Sequence, residues 1–317
     1  MELNKIYNED CIEGMKNIES NSIDLIITDP PYGTIKGLGL DGWEDKENTE
    51  WDTVIDTKQL FDEYARILRD NGRIILFSQE PYTSSLRTYN QTYGIEFNYP
   101  MMWRKNVHAN PFMAKKAPLN YFEDINVFTK KYGLNTFEEL RKYFKKLQEH
   151  IGLSLKDINK VMGNRRAEHT FYWNSYQFKL CTNETYNKLV EHFMLNEWEG
   201  FKTYEELKEY DYKRTFNLPG EAKYVPNILE FNKEKERYHP TQKPVAMLEY
   251  LINIYSNENE TVLDSCMGSG ATAIACMNTN RNFIGFELDE EYYETSIKRI
   301  NNHVEDKQID LFEVMDN

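Results

Sequence analysis

The sequence predicts an α/β fold: a mostly parallel, doubly wound sheet built by two separated halves of the chain, with a mainly helical segment inserted between them. Three observations carry this. Near the N-terminus the apolar run Ile23-Asp24-Leu25-Ile26-Ile27-Thr28 stops at Asp29-Pro30-Pro31-Tyr32, and a helical stretch and a second apolar run, Arg73-Ile74-Ile75-Leu76-Phe77, come after it. Strand, helix, strand is the pattern of a parallel sheet. Near the C-terminus Thr261-Val262-Leu263-Asp264 passes through a Gly-Ser-Gly turn into a small-residue stretch and then Asn282–Glu287, a second such unit. Between the halves the periodicity is helical and the residues are polar.

In chain order, residues 3–7 suit a short strand and residues 12–18 a helix before the strand at 23–28. Residues 33–50 are rich in Gly, Asp and Glu without apolar period and read as a long loop, a candidate lid. Val54, Leu60, Phe61, Tyr64, Ile67 and Leu68 recur at helical spacing, and Asn71-Gly72 closes that helix. Two further strands are expected at 97–104 and 124–129. A charged amphipathic helix is expected over 136–150. Ser154-Leu155-Lys156-Asp157 then opens a short helix that Gly163-Asn164 ends. A second helix beginning at Arg165-Arg166 would complete a helix-turn-helix. Residues 183–215 read as polar helix, 216–238 as a connection, and Val245–Ile254 as an apolar helix.

Composition narrows the class. Hydrophobic residues are 40% and charged residues 28% of the 317, as in soluble globular proteins. No apolar run approaches the ~20 residues that span a bilayer, and the start of the chain carries no signal-peptide apolar region. A cytoplasmic protein is expected. Cys11, Cys181, Cys266 and Cys276 form no CxxC pair, so neither a zinc pattern nor a disulfide framework is expected, and no metal. The net charge of −14 argues against a polyanionic partner, but its distribution does not. Residues 133–190 hold 10 basic against 6 acidic residues, so the excess acid lies toward the two ends.

Asp29-Pro30-Pro31-Tyr32 is an unusual strand end. Proline cannot donate to a sheet ladder, and two prolines in a row stiffen the backbone beyond the strand. A carboxylate, a fixed backbone carbonyl and an aromatic face then project at a strand's carboxyl end, where open α/β sheets bind ligands. Taken alone, the tetrapeptide reads equally as a proline-ended strand running into a surface loop. The second constellation is Asp264-Ser265-Cys266-Met267-Gly268-Ser269-Gly270 with Glu287. Its glycines permit a tight turn and a close ligand, and an acid ending the next strand can take two ribose hydroxyls. The turn is neither G-x-G-x-x-G nor a P-loop. A nucleoside ligand without a pyrophosphate is favoured, and S-adenosylmethionine fits.

Asp29–Tyr32, then His239-Pro240-Thr241-Gln242-Lys243-Pro244, then Asp264–Gly270 with Glu287, in that order, resemble the amino-methylating DNA methyltransferases of the permuted β group. The likeness covers about residues 1–130 and 238–300. It implies a Rossmann-like S-adenosylmethionine-dependent sheet in three parts: a catalytic half at 1–132, an inserted target-recognition segment at 133–215, and a cofactor half at 216–317. It further implies methyl transfer to adenine N6 in double-stranded DNA, cytosine N4 being the alternative; a dead methylase that only binds DNA is the reading of another class. Asp29, Pro30, Pro31 and Tyr32 become the catalytic set. Asp264 to Gly270 become the methionine-side turn and Glu287 the ribose ligand. Asp10, with Cys11 beside it, falls near the adenine amine, and Thr241, Gln242 and Lys243 close over the cofactor's amino-acid end. The family commonly has Pro and Phe where Ser265 and Cys266 stand, which bears on packing against the adenine ring. Trp103 is a stacking candidate against the alternative of a core tryptophan. Lys115, Lys116, Arg165 and Arg166 are candidates for DNA contact. A nucleoid-associated protein is expected, and a homodimer and a cognate restriction endonuclease are left open.

Overall fold

The computed structural model describes residues 1–33, 52–89, 92, 94–109, 114–130, 138–175, 177–209 and 215–315. The expected lid lies outside them, apart from Gly33. Two compact units form, Met1–Lys131 with Thr215–Asn317, and Tyr132–Arg214.

The first unit is built on eight strands of the described residues: β1 Lys5–Tyr7, β2 Ile23–Thr28, β3 Leu68–Ser78, β4 Ile95–Ala109, β5 Asn120–Lys130, β6 Ile228–Glu230, β7 Thr261–Asp264 and β8 Asn282–Phe286. They pair in the order β1-β8-β7-β2-β3-β5-β4-β6. The pairs from β1 through β3 are parallel, and so is β4 with β6; β5 runs antiparallel to both β3 and β4. The result is an α/β, Rossmann-like methyltransferase-type sheet with an antiparallel hairpin toward one edge. Period-two alternation divides its side chains. Leu25, Ile27, Ile75, Phe77 and Val262 face α8 (Val245–Tyr255) and α9 (Ala271–Asn278). Ile26, Ile74, Leu76, Leu263 and Ile284 face α1 (Cys11–Met15) and α2 (Thr57–Ile67). Both faces are covered, which is why the central strands are apolar throughout.

Two helices cross to opposite sides at the centre. The helix α9 links β7 to β8 on one side, and α2 links β2 to β3 on the other. The adjacent strands β2 and β7 therefore meet at a topological switch point, with Leu25 against Val262 and Ile26 against Leu263. Local signals set the element ends. Asp56 caps α2 by accepting from Gln59 N at 2.8 Å, so that helix begins at Thr57 and leaves Val54 outside it. Three elements carry no clear sequence signal: α3 (Tyr82–Thr88), the three-residue β6, and α10 (Glu290–Met315). Strand β6 has a single buried residue, Leu229, too little for an alternation signal.

The second unit packs α4 (Glu138–Ile151), α5 (Leu155–Met162), α6 (Asn183–Phe193) and α7 (Tyr204–Glu209) around Leu140, Phe144, Leu147, Ile158, Tyr186 and Leu189. Ser154 caps α5 and Gly163, at φ +67°, ends it as expected. The helix expected after it is a single 3-10 turn, Glu168–Phe171. The His169 carbonyl accepts from Lys179 N at 3.2 Å, and Thr170 Oγ1 donates to the Lys179 carbonyl at 3.0 Å. Those bonds turn the chain back before a recognition helix could extend. No helix among the described residues is long and apolar enough to cross a membrane.

One position tests the packing of the first unit. A Cβ on Gly14 in α1 would lie 2.2 Å from the ring of the buried Phe286. Gly14→Ala is expected to destabilise by about 1–3 kcal/mol, read as a lower urea midpoint at unchanged slope.

Candidate active site

The strand β2 ends at Thr28 because Pro30 and Pro31 offer no N–H to a ladder. The strand β7 ends at Asp264, whose carboxylate organises the next turn. One oxygen accepts from Cys266 N at 3.0 Å and the other from Thr272 Oγ1 at 2.5 Å. Gly268, at φ +53°, and Gly270, at φ +76°, sit in the left-handed region that favours glycine. Gly270 also lies against α10, where a Cβ would fall 3.2 Å from that of Ser296. Since β2 and β7 are parallel neighbours, the tetrapeptide and the turn leave the same edge of the sheet side by side.

Both border one cavity of about 1450 Å³, within the first unit. That exceeds the ~300–1,000 Å³ of a pocket for one small ligand and leaves room for two. Its walls include Asp10, Cys11, Asp29 to Tyr32, His239 to Lys243, Asp264 to Ser269 and Glu287. Gly270, behind the turn, is not part of the wall. Lys115 and Lys116 are exposed in the turn joining β4 to β5 and are not part of it either. Arg165 and Arg166 belong to the second unit, where they are exposed and pair with Glu168 at 2.6 Å and Glu184 at 3.9 Å.

At the cofactor end, Glu287 is held by two backbone donors, Gly268 N at 2.7 Å and Asp289 N at 2.9 Å. Burial pushes its carboxyl up to about 7 in spite of those donors. Asp10 caps α1, accepting from Ile12 N at 2.9 Å and Glu13 N at 3.1 Å. The Ser265 hydroxyl, where the family commonly has proline, lies 2.6 Å from the Tyr64 hydroxyl and donates to Thr28 Oγ1 at 3.3 Å, which ties β7 to β2. Burial, helped by Lys243, brings the His239 imidazole down to about 3. It is therefore neutral, and its Nδ1 receives Thr241 N at 3.3 Å. The Gln242 side chain donates to Glu234 and accepts from Tyr238 N at 2.9 Å.

The third member of that run behaves differently. Lys243, expected beside the cofactor, reaches across to the tetrapeptide. Its Nζ donates to Asp29, to Glu123 Oε1 at 2.8 Å and to the Thr241 carbonyl at 3.2 Å. Tyr32 Oη bonds to Asp29 and, at 2.9 Å, to Glu123; its ring stacks on Tyr82 at 5.9 Å. Lys105 Nζ closes the group on Glu123 Oε2 at 2.5 Å. Two carboxylates and two ammonium groups thus sit together with little access to water. Burial alone would raise Glu123, but Lys243 and Lys105 outweigh it and hold the carboxyl at about 2. Asp29 has only one of those cations, and burial together with the like charge of Glu123 raises it. Sequence reasoning missed Glu123 and Lys105. The one signal was an acid entering the apolar strand Ile125–Phe128. Trp103 belongs to the core, 1% exposed, with its Nε1 donating to the Phe231 carbonyl at 2.8 Å, and it also borders the cavity.

Known proteins resemble the chain over most of its length. The chain is 26% identical over 294 residues to the type II methyltransferase M.HpaI of Haemophilus parainfluenzae, covering 92% of this chain and 72% of that protein. It is 24% identical over 307 residues to the DNA adenine methyltransferase YhdJ of Escherichia coli (strain K12), covering 94% and 83%. The crystal structure of the M1.HpyAVI–SAM complex superposes with a TM-score of 0.54 at 23% identity, over 93% of this chain and 98% of that one. The family model of the N6 and N4 DNA methylases matches residues 23–298, which span both strands of the switch point and the segment inserted between them. The chain belongs to that DNA methylase family.

Proposed function

We propose that this methylase transfers a methyl group from S-adenosylmethionine to the exocyclic N6 amine of an adenine flipped out of a specific double-stranded DNA sequence. The observation that carries the reading is the partly buried Asp29 carboxylate, placed on one sheet edge beside the Gly268–Gly270 turn and opening on a cavity large enough for two ligands. The residues fit the cofactor. Gly268 lets the turn approach a ligand closely, and Glu287, its backbone donors in place, has lone pairs left for ribose hydroxyls. S-adenosylmethionine, when bound, supplies an electrophilic methyl group.

The chain's own residues do the rest. An exocyclic amine is a poor nucleophile because its lone pair is delocalised into the ring. Asp29 and the Pro30 carbonyl accept its N–H groups and draw the nitrogen toward tetrahedral geometry. The positive charge that develops there is stabilised by a preorganised carboxylate in a dry site. A base reaches this pocket only outside the duplex, and Tyr32, braced by Tyr82, offers it a ring. Cytosine N4 presents the same amine chemistry; the acid, rather than a hydroxyl, at the head of the tetrapeptide favours adenine. Lys115, Lys116, Arg165 and Arg166 are assigned to phosphate or base contacts, and the unit Tyr132–Arg214 to target recognition.

Three outcomes are expected. Incubated with labelled S-adenosylmethionine and unmethylated genomic DNA, the chain transfers label to adenine; no incorporation on any DNA would overturn the enzyme reading, and label on cytosine alone would overturn the choice of base. Asp29→Ala keeps cofactor binding by calorimetry and loses at least about a hundredfold in transfer rate; a rate near wild type would refute the mechanism. Cofactor affinity depends on pH with a defined sign. The ribose hydroxyls favour the ionised Glu287, whose proton leaves at about 7. Affinity should therefore level off above that pH and fall by up to about tenfold per unit below it. Glu287→Gln should flatten the profile.

A further inference from the structure

Lys243 stands where the substrate is needed. Its ammonium is an N–H donor resting on the Asp29 carboxylate that, in the proposed mechanism, must accept the N–H groups of the target amine. Left there through the reaction, its charge would oppose the positive charge developing on that amine. The same ammonium already contacts Glu123 Oε1 at 2.8 Å, and Glu123 is kept ionised by Lys105 on its other oxygen at 2.5 Å. A second carboxylate is thus within reach of Lys243 without any interval as an unpaired buried charge, a state proteins tolerate poorly.

We propose that Lys243 is a built-in stand-in for the target amine, and that Glu123, held by Lys105, is the positioning residue to which its ammonium withdraws when the base docks on Asp29. The inference rests on the assignment of Asp29 as acceptor of the target amine. In the empty site Lys243 pairs the partly buried Asp29 carboxylate; in the loaded site Glu123 keeps Lys243 paired. The other titratable groups facing this array are Tyr32 from the loop after β2, Asp264 from the end of β7, Lys233 and His239. Tyr32 bonds to both acids, so its hydroxyl can follow the shift without losing a partner.

The test is a double-mutant cycle on the full chain with Glu123→Gln, Lys243→Met and the pair combined, scored by transfer of labelled methyl to DNA and by cofactor affinity. With Glu123→Gln the ammonium has Asp29 as its one remaining carboxylate partner, so kcat falls by about a hundredfold at unchanged cofactor affinity. Removing the blocking cation as well makes the double variant faster than Glu123→Gln by about tenfold or more. A double variant as slow as the product of the single losses overturns the proposal. Lys243→Met decides independently, should Glu123→Gln fail to fold. Asp29 then lacks its cation, and the acid limb of the rate profile moves to higher pH; an unmoved limb overturns the proposal. A wild-type chain that transfers no methyl defeats the functional reading, whereas an active wild type with an additive cycle defeats this inference alone.

Discussion

Parallel pairing of β2 with β7 is the constraint on which the whole site depends. Leu25 lies against Val262 and Ile26 against Leu263, residues more than two hundred positions apart. That pairing brings two strand ends to one edge, and the helices leaving them cross to opposite sides, which opens a crevice between the loops. Each half alone is only a strand with a turn after it. Joined, they border a cavity whose walls carry an acid, an aromatic ring, a left-handed glycine turn and a buried carboxylate. The separate helical unit, Tyr132–Arg214, is inserted in the sequence between β5 and β6, outside the two strands that pair.

Electrostatics inside the cavity are governed by neutrality. Asp29, Glu123, Lys105 and Lys243 sit together at 4–17% exposure, two acids against two bases. The unequal division of the cations sets the character of the two acids. Glu123, with two lysines, is locked as a carboxylate, while Asp29, with one, is raised by burial and held less firmly. A carboxylate loosely held by a movable cation can change partner; one gripped from both sides cannot. The difference suits Asp29 to meet a ligand and Glu123 to stay in place. At the opposite end, burial lifts Glu287 to near neutrality while backbone donors orient it.

Several family-pattern residues have structural duties besides. Asp264 closes its own turn through Cys266 N and Thr272, Asp10 caps a helix, and Gln242 is spent on Glu234 and Tyr238. Ser265 uses the hydroxyl that proline would lack to tie the two central strands together through Tyr64 and Thr28.

Much of the fold was legible in one dimension because its signals are local. Proline ends β2, Ser154 opens α5 and Gly163 ends it, and apolar runs mark the buried strands. The order of the two motifs identified the kind of sheet and the class of enzyme. Short or weakly patterned elements such as β6 were not legible, and the 3-10 turn at Glu168–Phe171 took the place of a helix because its hydrogen bonds go to a segment further along the chain. Least legible was the charge array. Lys243 read as part of a cofactor loop, while Glu123 and Lys105 fell just outside the expected strands and drew no reading. A buried ion pair has no sequence period, and its partners here come from the loop after β2, from β4 and β5, and from the segment before α8. Residue order alone put an acid, an aromatic ring and a glycine turn after the ends of two strands. Which of them touch was settled only in three dimensions, because desolvation and pairing depend on the surroundings of a charge in space, not on its neighbours along the chain.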